Sequence, residues 1–427
     1  MMSDQSQSKA PQIVESTSPE PNVRDAYTSD ANASTLETAP TEQKASIRLH
    51  HLDGMRGLAA LYVLLHHAYL QVTWEPEKIQ LPAWVWASSQ WLEWGNFAVV
   101  VFIILSGYCL TLPIVQSRQL KRGFWHYIKR RAKRMIPPYY AALVVSLILI
   151  ALLPILRQHS GTIWDAAVPV KLGHIVTHAL LLHNILGGIA RIDYPLWTIS
   201  TEWQLYFALP LVLLPLWRRF GLKVMLGVAI VAGYLPVILT GHLPIEAIHH
   251  KLAEVKLWYF SHFAFGVTAA VISRSQDPKI VTLRSRLPWG WMSAGISSLI
   301  IAICLPQSRD ALAASEMSTD FLVSLAAFSF LIYASQPRSN SVALNILNHP
   351  WIFKLGIFSY SLYLIHAPFL AAFDVSLLTA GFSPIQRLVL DLTIAPVLII
   401  AIAYGFYWLV ERHFLNNPAD KKSMPTA

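Results

Sequence analysis

The chain has 427 residues, of which 54% are hydrophobic and only 13% charged, and its formal net charge is +9 at pH 7. Soluble domains carry about 25% charged residues, so this composition excludes an ordinary soluble protein and predicts a multi-pass membrane protein. The basic residues lie between apolar runs and not along one folded face, so membrane topology explains the positive charge. Nucleic acid is therefore not an expected partner.

The first 45 residues are rich in Ser, Thr, Pro, Glu and Gln and hold no apolar run. This composition predicts a disordered polar tail over residues 1–45. The tail lacks the apolar core of a signal peptide, and its acids argue against a transit peptide, so targeting is assigned to the membrane spans. The membrane domain is predicted at residues 46–415, followed by a short cytoplasmic tail at 416–427.

About ten apolar runs are long enough to cross a bilayer as helices. They cover approximately residues 52–72, 97–115, 136–156, 195–217, 224–240, 256–273, 288–306, 318–335, 352–373 and 387–411. The predicted fold is thus all-α, a polytopic transmembrane helical bundle in the cell membrane, with the lipid bilayer as its partner.

An eleventh segment, residues 172–187, is short and contains three histidines. It could be a span, a re-entrant piece or an interfacial helix. If it crossed the membrane, every later loop would change sides, and the excess of Lys and Arg on cytoplasmic loops would disappear. The positive-inside rule therefore favours ten spans with both termini cytoplasmic.

The first span carries Asp53, Arg56, His66 and His67 in an otherwise apolar run. A charge at this depth is costly unless it faces a partner or a wet cavity. Arg56 and His67 are eleven residues apart, which places them on one helix face, roughly 16 Å apart along the axis, whereas His66 points about 100° away. The alternative is that Arg56 extends to the interface and His67 only bonds a neighbouring helix.

The next two polar features flank the basic loop between the second and third spans. Ser106 and Gly107 lie within FIILSGY, where small residues let helices pack closely or leave a gap for a thin, extended ligand. Arg130, Arg131 and Arg134 precede Pro137 and Pro138, which are predicted near the first turn of the third span. Such a basic cluster attracts phosphate, although topology anchoring or binding of anionic lipid is the alternative.

Two further spans carry polar side chains. Glu202 in the fourth span is flanked by Trp197, Trp203 and Tyr206, and a buried carboxylate needs a cationic or hydrogen-bonding partner, either for function or to clamp helices together. In the ninth span, Ser359, Tyr363 and His366 share one helix face. Interhelical hydrogen bonding is the alternative explanation for that stripe.

The ten-span topology places these groups at two depths. His67, Glu202 and His366 all fall five to seven residues from the external ends of their spans, so they are predicted to share a layer roughly 7–10 Å below the outer surface. Arg56 falls near the cytoplasmic end, on the side of the basic loop. The sequence thus predicts a basic cytoplasmic layer and an outer layer of two imidazoles and a carboxylate.

Four ordered motifs resemble the acyltransferase 3 family of integral-membrane O-acyltransferases over residues 48–415. They are DGMRGLAALYVLLHHA, FIILSGY, RRAKRMIPPYY with PLWTISTEWQLYF, and SYSLYLIHAP. The resemblance implies an acyl-CoA donor, most often acetyl-CoA, used as a co-substrate and not bound permanently. It also implies a hydroxylated acceptor such as a surface glycan or an exported molecule, and it makes Arg56 and His67 the essential pair.

On this basis residue roles are predicted as follows. The catalytic residues are His67, Arg56 and Glu202; the acyl-CoA contacts are Arg130, Arg131, Arg134 and Ser106; the substrate contacts are Trp197, Tyr363 and His366. Cys109 and Cys304 lie in apolar runs without metal-type spacing, so neither a metal site nor a disulfide framework is predicted.

In the expected mechanism the basic residues hold the CoA phosphates and His67 removes the proton of an acceptor hydroxyl, oriented by a carboxylate such as Glu202. An acyl-histidine intermediate is the alternative route. Some relatives carry an appended extracytoplasmic domain that this sequence lacks, so the membrane domain is expected to complete the transfer or hand the group to a separate protein. The competing class is a transporter that uses intramembrane His, Glu and Arg as a proton relay or substrate path.

Overall fold

A computed structural model describes residues 50–415, apart from residues 76, 78, 338 and 340. Throughout this part of the chain every regular element is a helix, as the apolar runs predict. The two predicted tails, 1–45 and 416–427, lie outside the described residues, as do residues 46–49.

The α-helices of the described residues follow one another with short connections. In chain order they are α1 (His50–Thr73), α2 (Ala83–Ser89), α3 (Asn96–Thr111), α4 (Gly123–Leu152), α5 (Leu172–Ala179), α6 (His183–Leu186), α7 (Trp197–Ala208), α8 (Leu214–Phe220), α9 (Leu222–Gly241), α10 (Glu246–Val255), α11 (Tyr259–Arg274), α12 (Pro278–Arg286), α13 (Trp289–Cys304), α14 (Arg309–Ala314), α15 (Glu316–Ala334), α16 (Val342–Leu347), α17 (Pro350–Ile357), α18 (Ser359–Thr379) and α19 (Pro384–Leu409).

Eight helical stretches are long and apolar enough to cross a membrane. They are Ala83–Ile114, Gly123–Leu152, Tyr194–Phe220, Leu222–Gly241, Glu246–Arg274, Glu316–Ala334, Ser359–Thr379 and Pro384–Leu409. A ninth candidate is the pair formed by α12 and α13, which is bent by 56°. These stretches match nine of the predicted spans and confirm a polytopic helical bundle.

Helix α1, the first predicted span, is not among these stretches, but it extends between the same two ends of the bundle as α15. At its C-terminal end, Arg309 donates a 2.8 Å hydrogen bond to the carbonyl oxygen of Thr73. At its N-terminal end, Gly54 packs so closely on the chain after α15 that a Cβ would lie 2.0 Å from the Leu347 carbonyl oxygen. Arg309 precedes α15 and Leu347 follows it, so α1 and α15 connect the same two ends of the bundle. We call these the Arg56 end and the His67 end.

Residues 172–187 do not form a further crossing. They fold into α5 and α6, which have eight and four residues, and eight helical residues rise only about 12 Å. The rings of His178 and His183 stack with centroids 3.9 Å apart. Burial lowers the pKa of His178 to about 4 and that of His183 to about 3, so both imidazoles are neutral at pH 7.

Two predicted span boundaries are wrong. The third span was expected to begin at residue 136, but α4 is already helical from Gly123, so the arginines are part of the helix and Pro137 and Pro138 lie near its middle. Basic residues are good helix formers, and polarity alone does not mark the start of a helix. The ninth span was expected from residue 352, but the chain breaks at Phe358 between α17 and α18.

Helices α3 and α11 are in backbone contact at two glycines. A Cβ on Gly107 would lie 2.3 Å from the Phe263 carbonyl oxygen, and one on Gly266 would lie 2.1 Å from the Ile104 carbonyl oxygen. Small residues permit this close approach. The helix-packing interpretation of Gly107 is therefore confirmed, and the gap for a thin ligand is not found there.

The ten-span topology predicts the labelling of introduced cysteines. In a background with Cys109 and Cys304 replaced by Ala, Trp125→Cys and Lys279→Cys should react with a membrane-impermeant maleimide only from the cytoplasmic side. Leu180→Cys, which replaces an exposed side chain on the segment that does not cross, should react only from the outside. Labelling of positions 125 and 279 from opposite sides would contradict this topology.

Candidate functional site

Two histidines from distant parts of the chain meet inside the bundle. His67 of α1 and His366 of α18 approach with Nδ1 of His67 2.8 Å from Nε2 of His366. Nδ1 of His366 lies 2.8 Å from the Tyr363 carbonyl oxygen. His366 is only 1% exposed, whereas His67 is half-buried. His67 and His366, which the sequence predicts to share the outer layer, are therefore in direct contact.

The hydrogen bonds assign the tautomers of this pair. A carbonyl oxygen can only accept, so Nδ1 of His366 carries a proton and Nε2 of the neutral ring presents a lone pair. That lone pair accepts from His67, whose proton must then be on Nδ1. The unprotonated nitrogen of His67 is its Nε2, and this is the arrangement required of a base.

His67 lines a cavity of about 490 Å³ at the His67 end of the bundle. Trp197 and Tyr363, predicted as substrate contacts, are in the same wall. Tyr194 also lines the cavity and packs edge-on against His67, with ring centroids 4.8 Å apart. His366 does not line the cavity; it contacts His67, which does.

Tyr363 fixes the start of α7 next to the histidines. Its hydroxyl donates to the Pro195 carbonyl oxygen at 3.1 Å and accepts from the Thr198 hydroxyl at 2.8 Å. Ser359, predicted on the same face, donates instead to the Gly356 carbonyl oxygen at 2.9 Å within its own turn. The polar stripe of α18 thus divides into a helix-linking tyrosine, a ring-orienting histidine and a locally bonded serine.

His66 is held differently from its neighbour. Its Nδ1 lies 2.6 Å from the Leu92 carbonyl oxygen, and its ring packs so tightly on Gly95 that a Cβ there would lie 2.1 Å from the His66 ring. His66 also lines the cavity, although its helix position points about 100° from the face of His67. The two adjacent histidines therefore differ in hydrogen-bond partner more than in exposure.

Two ion pairs in the cavity wall were not foreseen from the sequence. Arg309 binds both carboxylate oxygens of Glu93, at 2.8 and 2.6 Å. Lys256 pairs with Glu316 and places its ammonium 5.3 Å from the centre of the Trp197 ring. All four charged residues lie at helix ends or in the short breaks between helices, where no local pattern distinguishes them from ordinary loop charges.

Arg56 lies about three helical turns from His67, at the opposite end of the bundle. Its guanidinium donates to Asp53 at 2.9 Å and to the Cys109 sulfur at 3.0 Å. Arg56 also interacts electrostatically with Glu202. The separation of Arg56 and His67 along α1 agrees with the helix geometry expected from their spacing.

Glu202 belongs to the Arg56 end, so the predicted layer of two imidazoles and one carboxylate is wrong. Its carboxylate accepts a 2.8 Å hydrogen bond from Tyr206. It also interacts electrostatically with Arg56 and with three tyrosines, Tyr127, Tyr360 and Tyr363. The error comes from the start of the fourth span. Tyr194 is already level with His67, so Glu202, eight residues further on, lies roughly 12 Å deeper.

The three arginines of α4 are not equivalent. Arg130 and Arg134 are exposed, whereas Arg131 is half-buried and interacts with Tyr206. Nε of Arg131 and the hydroxyl of Tyr127 are buried without a hydrogen-bond partner. Ser106 also reaches this cluster, through Tyr206. Unpaired buried donors are rare, and these two interact electrostatically with each other.

The described residues therefore contain two sets of functional groups, one around His67 and one around Arg56, and α1 contributes to both. One set has a neutral imidazole with a free nitrogen in a cavity, and the other has cationic and hydroxyl donors. No group of three or more His, Cys, Asp or Glu residues that could hold a metal ion occurs in the described part of the chain. The site can thus transfer a proton at one end and bind an anion at the other.

Comparison with known proteins identifies related sequences. The family described as an acyltransferase domain, acyltransferase 3, matches residues 49–410. Acyltransferase MdmB of Streptomyces mycarofaciens is 27% identical over 178 residues, which are 42% of this chain and 41% of the relative. No solved structure matches significantly.

Two relatives are bacterial O-acetyltransferases. O-acetyltransferase OatA of Staphylococcus aureus is 25% identical over 173 residues, 40% of this chain and 25% of the relative. Peptidoglycan O-acetyltransferase OatA of Listeria monocytogenes is 25% identical over 194 residues, 42% of this chain and 27% of the relative. The matches cover between a quarter and two fifths of these relatives.

Proposed function

Because this chain belongs to the acyltransferase 3 family, we propose that it is a membrane O-acyltransferase. It moves an acyl group, with acetyl as the expected one, from cytoplasmic acyl-CoA to a hydroxyl of a cell-surface or exported carbohydrate or lipid-linked acceptor. The Arg56 end then faces the cytoplasm and the His67 end faces outwards. The names of the O-acetyltransferase relatives support the type of acceptor group.

The observation that carries this proposal is the free Nε2 of His67 in the cavity. An acceptor hydroxyl needs a base as it attacks a thioester, and a positioned imidazole typically contributes 10²–10⁴-fold. His366 holds the ring by the 2.8 Å contact with Nδ1. In this proposal His366, held by the Tyr363 carbonyl oxygen, takes the orienting role that the sequence suggested for Glu202.

The reaction balances with these groups alone. The acceptor oxygen bonds to the acyl carbon while its proton passes to Nε2 of His67, and the imidazolium is stabilised by donating Nδ1–H to His366. The carbon–sulfur bond then breaks, and the proton on Nε2 passes to the departing thiolate. The products are the ester and free CoA, and His67 returns to its original tautomer.

The cationic cluster is suited to the phosphates of the donor. Arg131 offers a buried Nε without a partner, and Tyr127 offers a buried hydroxyl in the same condition. Charge-assisted bonds from a guanidinium to phosphate are among the strong hydrogen bonds of proteins. Arg56, at the same end of the bundle, is roughly 16 Å from His67 along α1, so a donor that contacts this end and reaches His67 must be extended, as the pantetheine arm of CoA is.

The acceptor would enter the cavity from the His67 end. Trp197 and Tyr194 provide aromatic faces there, and the Arg309–Glu93 pair provides charged hydrogen-bonding groups. An aromatic wall with a few polar groups is the usual character of a small-molecule site. Such a lining suits a neutral polyhydroxylated molecule.

The test uses purified protein in lipid nanodiscs with acetyl-CoA labelled in the acetyl group. Label should move to a hydroxylated acceptor, and free CoA should accumulate; mass spectrometry of surface glycans and lipids from deletion and wild-type cells would supply the natural acceptor. A transporter would leave acetyl-CoA intact and move its substrate into vesicles unchanged. Rapid-quench trapping of labelled protein without acceptor would reveal an acyl-histidine intermediate.

The donor site makes a separate prediction. Arg131→Gln should raise KM for acetyl-CoA by about 10- to 100-fold with little effect on KM for the acceptor, since a charged phosphate contact is worth ~1.5–3 kcal/mol. Lys133→Gln, an exposed cation two residues away on α4, is the matched control and should have little effect. If KM for acetyl-CoA is the same in the two variants, Arg131 does not bind the donor and is only a topology anchor.

A further inference from the structure

A second concave surface lies beside the catalytic cavity. It is a groove of about 350 Å³ between α3, α13 and α15, with Met55 of α1 at its base. Its other lining residues are Trp94, Phe97, Val101, Ser293, Ser297, Ile300, Ile301, Val323, Ala326, Ala327 and Phe330. We call it the α13–α15 groove.

The groove and the cavity share part of their walls. Trp94 and Phe97 line both, and Gly95 between them packs directly on the ring of His66. The groove and the cavity thus lie on either side of these two aromatic rings, and a chain that passed between the rings would reach the histidines.

The direction of the groove is set by the helices that form it. It begins at Trp94 and Phe97, which are next to the histidines, and reaches Met55, twelve residues before His67 on α1. This corresponds to roughly 18 Å along the helix axis. The groove thus descends from the His67 end towards the middle of the bilayer, and it includes the exposed Ile301 of α13.

The chemistry of the groove is that of a hydrocarbon site. It contains no charged residue, and of its two serines, Ser293 donates its hydroxyl proton to the Ala326 carbonyl oxygen at 3.0 Å. Amides or sugar hydroxyls placed here would lose hydrogen bonds to water without replacement, at a substantial cost. An alkyl chain loses nothing and gains burial.

We propose that the α13–α15 groove binds the hydrocarbon chain of a membrane-anchored acceptor, whose hydroxylated head group enters the cavity beside His67. The inference rests on the proposed function and narrows its acceptor to a lipid-linked molecule. An acceptor anchored in the outer leaflet has its chain below its head group, which is the direction of the groove. The acyl group of the donor arrives from the Arg56 end, so its chain would point away from the groove.

The test is photo-cross-linking in nanodiscs with a dodecyl β-glucoside that carries a diazirine on its chain. We expect labelled peptides from α13 and α15, and competition by unlabelled dodecyl β-glucoside but not by methyl β-glucoside. Ser297→Phe, which fills the groove, should weaken competition by about tenfold, the effect of exposing two methylenes. Leu299→Phe, on the lipid-facing side of the same helix, is the matched control and should not change it.

Other outcomes would overturn the inference. Equal labelling of α9 and α13 would mean that the groove holds only bulk lipid, and competition by palmitoyl-CoA alone would assign it to the donor chain. If Ser297→Phe does not fold, Ser297→Leu makes the same comparison with a smaller side chain. Cross-linking is independent of catalysis: wild-type protein that transfers acetyl groups but does not label the groove refutes only this inference, whereas absence of any transfer from acetyl-CoA refutes the proposed function.

Discussion

His67→Gln is expected to lower the acyl-transfer rate by about 10²–10⁴-fold, the usual contribution of a positioned general base. Glutamine keeps much of the size of histidine and can still donate a hydrogen bond to His366, but it cannot accept the proton of the acceptor hydroxyl. KM for acetyl-CoA should change little, because Arg56 lies about three turns away on α1 and Arg131 belongs to a different helix, α4. Single-turnover transfer in nanodiscs, at matched amounts of folded protein, measures the effect.

Two neighbours serve as controls for this variant. His66→Ala should lose far less activity, since His66 points about 100° away from the Arg56–His67 face and its Nδ1 bonds to the Leu92 backbone carbonyl, whereas that of His67 bonds to the buried His366. His366→Ala removes the group that orients His67, so it should lower turnover while donor binding survives. If the His67→Gln protein keeps most of its transfer rate, His67 is a packing histidine and the assignment of the base is wrong.

Arg387→Leu is expected to destabilise the protein by about 3–5 kcal/mol, which is the cost of leaving a buried charge without its partner. Arg387 of α19 binds both oxygens of Asp374 of α18, at 2.8 and 2.6 Å, and Asp374 is fully buried. Asp391, also buried, interacts electrostatically with both. Without the guanidinium, two buried acids would face each other, and the thermal midpoint in detergent should fall markedly.

The double variant Arg387→Leu, Asp374→Leu distinguishes the effect of removing the whole ion pair from the effect of removing one partner. Replacing a buried ion pair by apolar residues is often nearly neutral, so the double variant should recover much of the stability that the single variant loses. Arg286→Leu, at an exposed position at the end of α12, should have almost no effect. A double variant as unstable as the single one would show that Arg387 stabilises the bundle through other contacts.

At the Arg56 end the sequence identified the charged residues but not how they pack against one another. The spacing of Arg56 and His67 fixed their shared face because the period of an α-helix does not depend on its neighbours. The basic residues of α4 were found from their charge, but their division into an inward-facing Arg131 and outward-facing Arg130 and Arg134 required the packing of α7. Roles of individual residues at this end stay predictions until the KM measurements are made.

The sequence by itself determined that the chain is a helical membrane bundle, where most of its crossings lie, and which residues of α1 carry ionisable groups, because hydropathy and helical period act locally. Only the tertiary structure decided which of these groups meet. His67 pairs with His366, 299 positions later, and Glu202 bonds to Tyr206 and interacts electrostatically with Arg56. The reason is that the depth of each side chain depends on where its helix begins relative to its neighbours. The buried Tyr194–Leu196 turn starts the fourth span level with His67, and no local pattern in the sequence specifies that height.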